Sequence, residues 1–252
     1  MSGGGPGLPS ILVWGPEEVP GLAPRRVRIH VPAGHDPARG APLLVLFDGQ
    51  NVFDDGPSYS GGWYAHDAVD RMAKRRPRPI VVGVDHGGAE RIHELSPWAA
   101  HGSRGQLDLL LDWMVDRLLP RLRSDFSTGA GPAATTIGGS SMGGLAALYA
   151  HLHRPDVFGG AMAMSPSLWF AQRRMLEWLQ HVAIPWTSRI YLDAGAKEAR
   201  GALLDLTRTA AATLRHRGYG DDRLRTIEDR NGTHHEASWR RRLPVALRFF
   251  YR

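Results

Sequence analysis

Thr135-Thr136-Ile137-Gly138-Gly139-Ser140-Ser141-Met142-Gly143-Gly144-Leu145 is the stretch that decides the fold. A short β-branched run leads into glycines that bracket a serine, and an apolar series, Leu145–Leu152, follows. The order is strand, sharp turn, helix. Within it Gly139-Ser140-Ser141-Met142-Gly143 matches G-x-S-x-G, a pattern whose serine sits on a turn so tight that the residues two before and two after it come too close for side chains. The turn lifts the Ser141 hydroxyl above the sheet. It also aims the next helix's N-terminus at that hydroxyl, where partial positive charge favours a developing oxyanion. A glycine turn built for phosphate would carry a Walker lysine or G-x-G-x-x-G, and this stretch has neither.

Outward from this turn the chain alternates strand and helix patterns. Arg26–Val31 alternates charged and apolar residues, as a half-buried strand does, and Leu43–Phe47 is a continuous apolar run that stops at Asp48-Gly49. Pro79–Val84, Gly159–Met164, Arg189–Leu192 and Arg223–Ile227 complete the expected strands. Leu107, Leu110, Leu111, Met114 and Leu118 fall on one helical face, and Leu168–Leu179, Ala202–Arg215 and Glu236–Phe250 are further helices. Strands separated by helices imply right-handed crossovers and a mostly parallel central sheet flanked by helices, with chemistry at the strands' carboxyl ends. The expectation is an α/β fold: one domain over residues 21–252, after a flexible lead-in over residues 1–20.

Composition narrows the function classes. The 252 residues include no cysteine, which removes disulfides, cysteine nucleophiles and thiolate metal sites together. The formal charge is +6, and 29 of the 31 basic residues are arginine. The densest runs, Lys74-Arg75-Arg76 and Arg240-Arg241-Arg242, are short and lack interleaved aromatics. They read as solvated faces, and no nucleic-acid partner is expected. Met1–Pro9 has no basic and no apolar region of a signal peptide, and no apolar run approaches the ~18 residues of a membrane span. The expectation is a cytoplasmic protein with no membrane partner; the oligomeric state is left open.

A serine at its free pKa needs a base. Among 12 histidines, His30, His151, His153 and His216 lie on strand or helix patterns, whereas His234 and His235 lie in the loop between the last strand and last helix, where this fold puts its base. Two carboxylates follow the strand Arg189–Leu192 and compete to orient that base, Asp193 and Glu198.

The segments Leu46-Phe47-Asp48-Gly49-Gln50-Asn51-Val52-Phe53-Asp54, Val81-Val82-Gly83-Val84-Asp85, Glu94-Leu95-Ser96-Pro97-Trp98, Gly139–Gly144, Asp193–Glu198 and His234–Trp239 extend the pattern across roughly residues 25 to 252. With them the chain resembles the α/β-hydrolase esterases related to enterochelin (siderophore) esterases, with relatives among S-formylglutathione hydrolases, feruloyl esterases and mycolyltransferases. The resemblance implies a histidine five residues before the tryptophan of the final helix, which is His234. It puts the acid at the end of Gly195-Ala196-Lys197-Glu198, which is Glu198, and it leaves Asp193 as a strand-end residue. It places the oxyanion donors at the backbone N–H groups of Met142 and Gln50. Trp63, Arg91, Trp98 and Trp169 are the candidates for lining an acyl pocket. The implied activity is serine-dependent hydrolysis of a small-molecule carboxylic ester, a siderophore-type ester among the candidates, with no metal or organic cofactor. Acyl transfer to an alcohol and a non-catalytic binding role are the alternatives.

Overall fold

The computed structural model describes residues 11–58, 60–100 and 102–252. Eight strands form one sheet: β1 (Leu12–Val19), β2 (Leu22–His30), β3 (Leu43–Phe47), β4 (Ile80–Val84), β5 (Thr135–Ser140), β6 (Gly160–Met164), β7 (Arg189–Gly195) and β8 (Leu224–Asp229). Their spatial order is β1-β2-β4-β3-β5-β6-β7-β8. Only the β1–β2 and β2–β4 pairings are antiparallel; β4 through β8 run parallel. This is the mostly parallel α/β sheet that the alternation of patterns predicts, in the α/β-hydrolase fold that the resemblance implies.

Period-two alternation in the central strands divides the core. Leu43, Val45 and Phe47 of β3 pack into one cluster with the helices α3 (Leu107–Trp113), α4 (Leu119–Phe126), α5 (Met142–His153), α6 (Phe170–Trp178) and α7 (Ala202–His216). Leu44 and Leu46 point the other way, into a second cluster with α1 (Ala65–Asp70) and α8 (Glu236–Phe250). Both faces of the parallel strands are therefore covered, and β3, β4, β5 and β6 are buried along their whole length. The stripe Leu107, Leu110, Leu111, Met114 and Leu118 is buried as its spacing predicts, although Met114–Leu118 forms a π-helical turn between α3 and α4.

Two expectations change. Residues 1–10 of the expected lead-in lie outside the described residues, but residues 12–19 are the edge strand β1, paired with β2 through Leu12–Ile29, Val13–Arg28 and Trp14–Val27. Gly15-Pro16 reads as a strand breaker. The chain accommodates it with register shifts between Trp14 and Val19, at an edge where a missing N–H costs no ladder bond. Second, the Arg240–Arg242 run is not wholly a solvated face, because Arg242 is 3% exposed.

The loops at the carboxyl ends of β3 and β4 are tied down by buried or half-buried charge pairs. Arg25 of β2 bonds both oxygens of Glu94, at 3.0 and 3.2 Å, and Glu94 also accepts the Gly87 N–H at 2.8 Å. Glu94 belongs to α2 (Arg91–Glu94), and both side chains of the pair are almost fully buried. Removing one partner of such a pair strands the other charge. Glu94→Ala is expected to lower unfolding stability by about 3–5 kcal/mol, read from urea denaturation with unchanged m-value. A loss under about 1 kcal/mol would mean that Arg25 reaches solvent.

Candidate active site

Ser141 stands between β5 and α5 with φ 56° and ψ −119°, a backbone conformation that a side chain disfavours. The reason lies in its neighbours. A Cβ on Gly139 would fall 2.7 Å from the carbonyl carbon of Gly143, so the two arms of the turn touch backbone to backbone. The strained serine is pinned from both sides: its N–H donates to the Met164 carbonyl and its carbonyl accepts from the Ser167 N–H, each at 3.0 Å.

The hydroxyl so placed meets a histidine. His234 Nε2 lies 2.9 Å from Ser141 Oγ, and its Nδ1 lies 2.8 Å from Glu198 Oε2. Serine, imidazole and carboxylate thus form one hydrogen-bonded chain. With Nδ1–H donating to Glu198, Nε2 is left free to accept the serine proton. His235 turns elsewhere: it caps α8, with Nδ1 accepting the Ala237 N–H at 3.3 Å. Ser167 Oγ lies 3.2 Å from Ser141 Oγ, a contact that sequence reading did not find.

Glu198 is buried, at 1% exposure. Burial pushes its pKa up, but hydrogen bonds from His234, the Ser165 hydroxyl and the Gly195 N–H outweigh that and hold it below the usual carboxylate value. Ser165 Oγ is the junction of this cluster. It donates to Glu198 Oε1 at 2.8 Å and accepts from Trp239 Nε1 at 2.9 Å and Arg242 Nη2 at 2.7 Å. One donor and two acceptor sites are all that a hydroxyl has, and all are used.

Asp193, the competing carboxylate, faces away from His234. It accepts from the Ser165 N–H, the Tyr191 hydroxyl and Arg242 Nε, at 3.0, 3.1 and 3.0 Å. Its complete burial pushes the pKa up to about 6, against the pull of the Arg242 guanidinium 3.0 Å away. The sequence held a signal for Ser165 and Ser167, since both lie just past the carboxyl end of a parallel strand. Arg242 carried none, because charge runs are ordinarily solvated.

The two expected oxyanion donors sit where their N–H groups lack helical acceptors. Met142 is the first residue of α5, and Gln50 is the middle residue of a 3-10 turn, Gly49–Asn51. That turn is braced against the elbow. Asp48 enters it with φ 59° and holds Arg91 through two bonds, at 2.5 and 2.7 Å, and its carboxylate lies against Gly143.

The pocket candidates separate. Arg91 is committed to Asp48 and braces the loop. Trp63 is a correction: it is 2% exposed and packs on Trp239, whose ring meets His234 edge-on at 5.0 Å. The Trp63 indole spends its apolar area on packing against Trp239. Trp98 is half-buried, with its ring against Tyr149 and Trp178. Trp169 is half exposed, with its ring against Phe170, and stands two residues beyond Ser167 in the chain.

The family model described as "Putative esterase" matches residues 23–250. The chain belongs to this esterase family. The Iron(III) enterobactin esterase of Dickeya dadantii is 29% identical over 209 residues, which cover 75% of this chain and 44% of that one. This esterase therefore spans less than half the length of that relative. Among solved structures, the BES protein from Bacillus cereus matches with a TM-score of 0.75 at 19% identity, over 99% of this chain and 98% of that one. The siderophore hydrolase EstA from Aspergillus nidulans matches with a TM-score of 0.72 at 18% identity, over 99% and 98%. At such identities these two likenesses speak for the fold.

The two carboxylates of this esterase make different predictions. Glu198 has a folded pKa below the 4.5 of a free carboxyl. The stability it contributes is therefore present above about pH 4.5 and is lost as pH falls through the folded value. Glu198→Gln is expected to flatten that acid limb in a plot of Tm against pH. Asp193→Asn is expected to cost on the order of 3 kcal/mol at pH 7, because it leaves Arg242 short of its closest counter-charge.

Proposed function

We propose that this esterase works through an acyl-enzyme on Ser141. The observation that carries the reading is the unbroken chain from Ser141 Oγ through the His234 ring to Glu198, with links of 2.9 and 2.8 Å. Ser141 Oγ attacks the ester carbonyl carbon as His234 Nε2 takes its proton. The carbonyl oxygen becomes an oxyanion held by the N–H groups of Met142 and Gln50, with the α5 N-terminus adding favourable potential. The intermediate collapses, and the leaving alcohol takes the proton back from His234. Water then enters by the same route and releases the carboxylic acid, restoring Ser141. Glu198 keeps Nδ1 protonated and stabilises the imidazolium that forms at each step.

The substrate class we favour is a siderophore-type ester. Support comes from the names of the Dickeya and Aspergillus relatives and from the exposure of the base. The His234 side chain is 39% exposed, so the base is open to an incoming ester. A hydrolysis screen of p-nitrophenyl esters of graded chain length against catechol-siderophore and feruloyl esters tests this, and a preference for simple short acyl chains would overturn it.

Ser141→Ala is expected to lower kcat on the order of 10⁴-fold or more, with an unchanged circular-dichroism melt. A fluorophosphonate should label Ser141 and not the buried Ser140 when the adduct is mapped by mass spectrometry. Normal turnover in purified Ser141→Ala protein would end the proposal.

The histidines divide in the same way. His234→Ala should match the serine variant in lost kcat, whereas His235→Ala removes only a helix cap and should cost about 1 kcal/mol of stability with near-normal kcat. The reverse pattern would move the base to His235.

A further inference from the structure

On the sheet face covered by α1 and α8 lies a groove of about 490 Å³, large enough for a small organic ligand. Its apolar lining comes from Ala68, Met72, Pro244 and Leu247, with Trp63 in the wall. Its rim is cationic. Arg71, Arg75, Arg76, Arg240 and Arg248 all line it, and the one lining carboxylate, Asp67, is held by Arg71 at 2.9 Å. Arg240 lies over the Tyr64 ring at 4.0 Å, which fixes one guanidinium at the mouth. Arg75 and Arg248 have no carboxylate partner among the described residues.

Surface arginines ordinarily spread over a convex face and are solvated one by one. Here five of them line one concave site that also has apolar walls, where a bound anion would relieve their mutual repulsion. An independent feature points the same way. Trp63 in the groove wall is 2% exposed, and its indole N–H has no acceptor among the described residues. A buried donor left unpaired favours any shift of the wall that brings an acceptor to it.

We propose that the groove between α1 and α8 binds an organic carboxylate with an aryl or alkyl body. Guanidinium groups take a carboxylate in paired, charge-assisted hydrogen bonds, and the apolar lining takes the apolar body. Ester cleavage releases one such acid per turnover, so the link to the enzyme's own product rests on the esterase reading. The binding does not. Inorganic phosphate would meet the charge but leave the apolar lining uncovered. The wall is also the backing of the active site, because Trp63 packs on Trp239, which meets His234 with its ring and bonds Ser165.

The test is isothermal titration of 2-naphthoate into Ser141→Ala protein at low ionic strength, with 2-naphthalenemethanol as the uncharged control. One-to-one binding of the acid is expected, with the alcohol at least about tenfold weaker, a difference near 1.4 kcal/mol. Arg75→Gln combined with Arg248→Gln removes two exposed, unpaired charges and should weaken the acid by about tenfold or more with an unchanged melt. Ala68→Leu should crowd the apolar lining and weaken acid and alcohol alike. In wild-type protein whose Ser141 carries a fluorophosphonate adduct, the acid should still bind. No binding at millimolar acid, equal affinity in the double arginine variant, equal affinity for the alcohol, or loss of binding on phosphonylation each overturns the site. If Ser141→Ala still cleaved esters, the catalytic reading would fall while the titration result stood.

Discussion

The backbone contact between Gly139 and Gly143 is the constraint on which the rest is built. Holding the two arms of the elbow together forces a positive φ on Ser141, a conformation that costs a non-glycine residue on the order of 1–3 kcal/mol. The surroundings over-determine it. Almost every residue of α5 is buried, and β6 and the turn after it bond the serine's own peptide groups on both sides. The same closeness brings Phe47 and Asp48, at the end of β3, against Gly143. The loop that carries Gln50 is therefore packed on the elbow rather than suspended above it, and Arg91 clamps it through Asp48.

A second constraint sits one strand away. Two carboxylates and an arginine are buried together, and burial of charge is tolerated only where each group is paired and its remaining hydrogen-bonding sites are filled. Ser165 makes that possible, by donating to Glu198 while accepting from Arg242 and Trp239. Its own φ of 42° shows that the backbone bends to bring the hydroxyl there. Arg242 and Asp193 neutralise each other, which leaves Glu198 Oε2 for His234. The edge of Trp239 then fixes the plane of the imidazole. The histidine is thus oriented by a carboxylate that is itself oriented, and each layer depends on side chains from a different strand or helix.

Much of this was legible in the sequence. Leu43–Phe47 is bounded in the structure as its apolar run and its Asp-Gly stop predict, because a fully buried parallel strand is written as an unbroken apolar run. The helix over Glu236–Phe250 and the stripe Leu107 to Leu118 follow from their periodicity. The edge strand Leu12–Val19 was not legible, since Gly15-Pro16 and Glu17-Glu18 break the alternation. Its pairing is supplied by β2 and not by its own pattern.

What the sequence by itself determined is local in origin: the strand-turn-helix around Ser141, dictated by glycines that no side chain can replace, and the placing of one histidine pair and two carboxylates at the ends of the last strands. What only the tertiary structure decided is which member of each pair reaches the other. His234 and His235 are chemically identical neighbours, and Asp193 and Glu198 are both buried acids, so residue type does not separate them; the resemblance pointed to His234 and Glu198 by spacing, and the folded contacts hold those two together. The choice is made by groups far away in the chain. Arg242 draws Asp193, Ser165 turns Glu198 toward the imidazole, and the cap of α8 takes His235. Hydrogen bonds act over about 3 Å, and only the folded chain brings residues 36 and 77 positions apart to that distance.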